Sequence, residues 1–80
     1  MNEIVAKAMS VILAENVRRL RIERGWTQVE FSELLGRPQS RVSEIERAVF
    51  PVSTTVIDEL ADAFGVKQVQ LLAEHKFSEK

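Results

Sequence analysis

Residues 27–46 read TQVEFSELLGRPQSRVSEIE, and the reading of this stretch decides the fold. Val29, Phe31, Leu34 and Leu35 are spread among polar residues in its first half, and Val42 and Ile45 stand three apart in its second. Both spacings are helical. Thr27 followed by Glu30 forms a capping box, which predicts a helix from Gln28 to Leu35. Gly36 is suited to the left-handed conformation that closes it. Pro38 then stands at or near the start of a second helix, where a missing N–H costs nothing. That helix runs from Gln39 to about Arg47. Val42 and Ile45 anchor it inward, leaving Gln39, Ser40, Arg41, Ser43 and Glu44 outward or sideways.

Two brief helices joined by one glycine-containing corner predict a helix-turn-helix. On its N-terminal side, Ile4, Val5, Ala8, Ile12, Val17 and Leu20 recur at helical spacing, with Leu13 on the same stripe. No Gly or Pro occurs before Gly25, so one long helix is expected from residue 2 or 3 to 24. Ser10 is the one good cap at which it can divide. Trp26, just before the Thr27 cap, is expected to staple the corner from the core rather than to stack on a base.

On the C-terminal side, AVFPV at 48–52 is an apolar linker, and Phe50 is either core or an exposed patch, with partial burial favoured. Ser53 or Thr54 caps a fourth helix ending at Phe64 and Gly65, with Val56, Ile57, Leu60, Ala61 and Phe64 inward. Asp58, Glu59 and Asp62 make its outer face acidic, a face expected to look away from DNA. A fifth helix is expected from Gln68 to about His75, with Val69, Leu72 and Ala73 inward and Leu71 alongside. The expected architecture is all-α: five helices in a single domain over 1–80. Its helix-turn-helix core covers about 27–47, preceded by a helical extension at 1–10 and followed by a tail at 76–80.

A chain of 80 residues buries only about 60% of the surface its unfolded form exposes, so its core is small and a symmetric partner would help it. Cysteine is absent, which removes disulfides and thiolate metal sites. No apolar run approaches the length of a membrane span, and no signal pattern opens the sequence; a cytoplasmic location is expected. The net charge is -1, yet between Arg18 and Arg47 seven arginines face five glutamates and no lysine. Arginine suits phosphate and guanine recognition. The alternative is a solvated face laced with ion pairs such as Arg19–Glu23. His75 is the sole histidine, and the three glycines are isolated helix terminators rather than a phosphate loop. No catalytic triad can be assembled, so neither enzyme nor cofactor, metal or small-molecule substrate is expected.

Gln28, Ser32, Gly36, Val42, Ile45 and Glu46 fall where the phage-repressor-like (Cro-like, lambda-repressor-like) helix-turn-helix family keeps its own pattern, and the chain resembles that family from about Leu13 to Leu72. The resemblance implies a five-helix DNA-binding fold whose first helix is here extended N-terminally. It implies that the glutamines opening the second and third helices, Gln28 and Gln39, brace one another and a phosphate. It implies a structural pairing of Arg21 with Glu46, and dimerisation through the C-terminal region, where Leu71, Leu72 and Phe77 lie. Two departures stand out: the family often has glycine at position 48, where this chain has Ala48, and leucine where it has Trp26.

A recognition helix presents hydrogen-bonding groups to a groove about 12 Å wide. Gln39 can pair with adenine, Arg41 can grip guanine in a fork, and Ser40 and Ser43 suit a base edge or a phosphate. Glu44 can accept from cytosine, exclude mismatched bases, or orient Arg41 or Arg47. For Arg41 the alternative is an ion pair with Glu44 or Glu46. Thr27, Gln28, Arg37 and Arg47 are the expected phosphate contacts. Trp26, Gly36, Val42, Ile45, Arg21 and Glu46 are structural. The expected function is a transcriptional regulator reading an inverted repeat of double-stranded DNA as a homodimer; a restriction-modification controller and an antitoxin are its specialised forms. The competing reading is a protein-interaction module, such as an antitoxin holding a toxin, with weak or no DNA binding of its own.

Overall fold

The computed structural model describes residues 8–75. These form five helices and no strand: α1 (Met9–Glu23), α2 (Gln28–Leu35), α3 (Gln39–Glu46), α4 (Thr54–Phe64) and α5 (Gln68–Leu72). Local chemistry accounts for most boundaries. Thr27 Oγ1 accepts from the Glu30 N–H while the Glu30 carboxylate accepts from the Thr27 N–H, the capping box in full. Ser53 caps α4 by accepting from the Val56 N–H at 3.2 Å. Four helices end in paired reverse bonds. At the end of α2, for example, Gly36 N–H donates to the Glu33 carbonyl and Arg37 N–H to that of Ser32.

One core joins the helices. Leu13, Val17, Phe31, Val42, Ile45, Leu60, Phe64 and Leu71 are all buried. Trp26 stacks on Phe31 at 5.7 Å and on Phe64 at 6.0 Å, and these last two rings lie 4.5 Å apart. Trp26 precedes the α2 cap and Phe31 occupies the fourth helical position, so their contact is the hydrophobic staple expected at this corner. Val29 and Leu34, in contrast, remain exposed, and α2 buries Phe31 and Ser32.

Both outer helices differ from expectation. α1 begins at Met9 behind an extended Ala8, so the helix expected from residue 2 or 3 is not continuous through position 8. Residues 1–7, and with them Ile4 and Val5, lie outside the described residues, as do Phe77 and the rest of the tail. α5 stops at Leu72 instead of near His75; Leu71 is its buried residue at 0% exposed and Leu72 packs partly buried on the core as expected, whereas Val69 is 65% exposed and Ala73 is exposed as well. The end of α5 meets Asn16, a side chain of α1 that is only 2% exposed. Its amide donates to the carbonyls of Leu71 at 2.7 Å and Ala73 at 2.9 Å, and Ala73 is extended. A long-range side chain thus takes up carbonyls at the end of α5, where the chain leaves the helix. Leu71, expected at a dimer contact, is instead part of the monomer core.

Candidate nucleic-acid interface

α3 is held from below by Val42 and Ile45, 0% and 4% exposed, which fixes the opposite face outward. Gln39 and Ser40 are exposed there, and Arg41, Ser43 and Glu44 are half-buried. Pro38 is the α3 N-cap, with φ -64°, and no side chain caps this end; no acid occupies the first turn. The N-terminus of α2 is different. Its Thr27 N–H is already engaged by Glu30, which also places a negative charge in the first turn. The partial positive charge of a helix N-terminus is therefore countered at α2 and left open at α3. The expected use of the Thr27 N–H as an anion donor meets this competition from within the capping box.

At its other end α3 is clamped. Glu46 has a side chain only 3% exposed and accepts a two-pronged pair from Arg21, Nε to Oε2 at 2.6 Å and Nη2 to Oε1 at 3.0 Å. Arg21 also donates from Nη1 to the Trp26 carbonyl at 2.8 Å. The hydrogen bond to Glu46 raises the Arg21 pKa above its already high ordinary value, so this guanidinium is permanently charged. Gln28 Nε2 donates to Glu46 Oε1 at 3.1 Å, and Arg18 approaches the same oxygen at 4.0 Å. One carboxylate thereby ties α1, α2 and α3 together.

The polarity of this network travels outward. A carboxylate can only accept, so the Gln28 amide must point its NH2 inward and its oxygen out. That oxygen meets Gln39 Nε2 at 3.5 Å, a long and weak contact that orients Gln39 without holding it firmly.

The remaining basic side chains separate into distinct environments. Arg37 donates from Nε to Glu59 Oε1 at 3.2 Å, and its Nη2 is paired with the other carboxylate oxygen. This bond raises the Arg37 pKa and lowers that of Glu59. The fork expected to meet a phosphate is thus occupied by α4. Arg41, for which an ion pair with Glu44 or Glu46 was the alternative, lies over the Phe50 ring at 4.3 Å from its centroid. Arg47 is exposed, its Nε donating to Ser43 Oγ at 3.3 Å. Sequence reasoning did not find Asn16, the engagement of Arg37 by Glu59, or Phe50 as the partner of Arg41. A capped helix or a periodic stripe announces itself locally, whereas these contacts join residues far apart in the chain or across a turn.

Two short helices packed around a corner, with the second clamped from beneath and its polar face open, define a helix-turn-helix domain. A sequence profile of that domain matches residues 12–74, and the chain belongs to the helix-turn-helix family. A hypothetical transcription factor of Neisseria meningitidis serogroup B is 34% identical over 64 residues, which cover 80% of this chain and 60% of that protein. The crystal structure of the Neisseria hypothetical transcription factor NHTF has a TM-score of 0.79 at 33% identity, covering 84% of this chain and 77% of that one. The restriction-modification controller protein C.AhdI of Aeromonas hydrophila is 31% identical with a TM-score of 0.71, covering 78% of this chain and 94% of its own. Antitoxin PezA of Streptococcus pneumoniae is 31% identical over 65 residues, 81% of this chain but 41% of the antitoxin. The chain therefore aligns with only part of the length of PezA and of the Neisseria factor. Among the described residues, no helix is long and apolar enough to cross a membrane.

Proposed function

We propose that the protein is a sequence-specific double-stranded DNA-binding transcriptional regulator that reads the major groove with α3. The observation that carries this reading is the graded network from Arg21 through Glu46 and Gln28 to Gln39. It clamps α3 onto the domain and leaves the Gln39 amide at the surface with a donor and an acceptor to present. An α-helix is about 10–12 Å across and the major groove about 12 Å wide, so α3 enters it side chains first.

Gln39 supplies the donor and acceptor that match adenine N7 and N6, and Arg41 supplies the fork that matches guanine O6 and N7. Ser40, Ser43 and Glu44 line the same face, Glu44 repelling base edges rich in acceptors. The open N-terminus of α3 accepts a phosphate beside Gln28, and Arg47, exposed at the C-cap of α3, reaches a separate one. Thr27 and Arg37 contribute less, since both are engaged within the domain.

The surface of α5 offers exposed Val69 beside half-buried Leu72 to a second copy, and a homodimer spaces two half-sites about 34–36 Å apart. Likeness to a hypothetical transcription factor and to a restriction-modification controller supports the regulatory role. The likeness to PezA covers less than half of that antitoxin, so it supports the shared domain rather than a toxin-binding role.

Selection of bound duplexes from a random pool, with mass followed by light scattering in the same buffer, tests this. A two-fold symmetric sequence bound by a dimer, with affinity falling steeply with salt, is expected. Arg41→Ala should lose about 1–3 kcal/mol, mainly at one base pair of each half-site. A folded protein that enriches no sequence at low salt sinks the proposal.

A further inference from the structure

We propose that Phe50, which lies beyond α3, is a positioning residue for Arg41 and through it sets sequence selectivity. This rests on the reading of Arg41 as a base-contacting group. The guanidinium carbon of Arg41 lies 4.3 Å from the Phe50 ring centroid, well inside cation–π range. The ring is half-buried and packs against the hydrophobic core, so the platform under the cation is itself fixed. Phe50 reaches this place because Ala48 adopts φ +63° and the Val49 N–H reaches back to the Glu44 carbonyl, reversing the chain at the end of α3.

The contact differs in kind from that of Arg37. A carboxylate holds an arginine by its N–H donors, and Glu59 engages those of Arg37 in this way. An aromatic face holds the cation and leaves the donors available to guanine O6 and N7. A free arginine must also surrender rotamer freedom on binding, and a side chain already resting on a ring surrenders less. Phe50 thus orders the reading group without competing for it.

Two variants test this. Phe50→Leu keeps an apolar side chain against the core and removes the ring, whereas Phe50→Tyr keeps the ring. In the free protein, the side-chain δ-protons of Arg41 should show an upfield ring-current shift that Phe50→Leu abolishes and Phe50→Tyr retains. In competition binding to the duplex selected by the wild type, Phe50→Leu should weaken the preference for the base pair assigned to Arg41 by about 3- to 10-fold. Non-specific affinity should be unchanged, and Phe50→Tyr should restore the preference. In an Arg41→Ala background, Phe50→Leu should have no further effect on selectivity. Independent, multiplying effects of the two substitutions would overturn the proposal, as would a Phe50→Leu variant that loses only thermal stability. If Arg41→Ala relaxes selectivity and Phe50→Leu does not, the role of Phe50 fails and DNA reading stands. If the wild type selects no sequence, both fall.

Discussion

α3 is bracketed by two corners of nearly the same shape and different chemistry. Upstream, Gly36 takes φ +69°; downstream, Ala48 takes φ +63°. Both are stitched by the same pair of reverse bonds, Gly36 to Glu33 and Arg37 to Ser32 in one, Ala48 to Ile45 and Val49 to Glu44 in the other. Glycine enters this conformation freely, whereas a residue with a Cβ is strained there by about 1–2 kcal/mol. The alanine corner forms because its neighbours over-determine it. Glu46, two residues before, is clamped by Arg21, and Phe50, two residues after, is packed against the core and under Arg41. A corner can thus be set by its own residue or imposed by what flanks it.

The largest expected effect comes from breaking the clamp. Arg21→Ala leaves the Glu46 carboxylate buried with only Gln28 as a close donor, and should cost about 3–5 kcal/mol. For an 80-residue domain that approaches the whole of its stability, and urea denaturation will show the midpoint collapse. Retention of more than half the wild-type stability would mean that the alanine corner is held by something else.

A matched pair of substitutions sharpens the contrast itself. Gly36→Ala should destabilise by about 1–2 kcal/mol, because beyond the adjoining residues nothing lies within 4 Å of the added Cβ and the cost is backbone strain alone. Ala48→Gly should have the opposite sign, a net gain of about 0.5–1 kcal/mol once the extra entropy of an unfolded glycine is deducted. Calorimetry showing the same sign for both would refute the comparison.

The smallest effect concerns Arg37 and Glu59, which link the upstream corner to α4. The bond to Arg37 lowers the folded-state pKa of Glu59 below its ordinary 4.5. A depressed carboxylate pKa stabilises the fold above the unfolded value, and the stabilisation is lost as pH falls through the folded value. Glu59→Gln should therefore lower Tm slightly at neutral pH and leave it unchanged in acid, which flattens a small part of the fall in Tm below about pH 4.5. An unchanged acid profile would mean that the pair contributes nothing in solution.

The boundaries of α2, α3 and α4 are readable because each is written by nearby residues: Thr27 with Glu30, Gly36 with Pro38, and a cap at Ser53 or Thr54, of which the structure selects Ser53. The Arg21–Glu46 pairing came only through family resemblance, since 25 residues separate the partners. In α5 the sequence places Leu72 correctly against the core, but not Val69, which is exposed, nor the end of the helix, where Asn16, 55 residues from Leu71, takes up its carbonyl. Arg37 was read by its position at the turn, which says nothing of an acid 22 residues later.

By itself, then, the sequence determined the all-α class, the three central helices, the capping at Thr27, a cap at Ser53 or Thr54, and the polar face of Gln39, Ser40 and Arg41. These follow from periodicity and from hydrogen bonds made within one turn, whose physics is local. Only the tertiary structure decided that Leu71 is core, that Glu46 is the hub of a buried network, that Ala48 turns left-handed and that Arg41 rests on Phe50. Each of these depends on which distant groups share a small volume, and packing, not propensity, settles that.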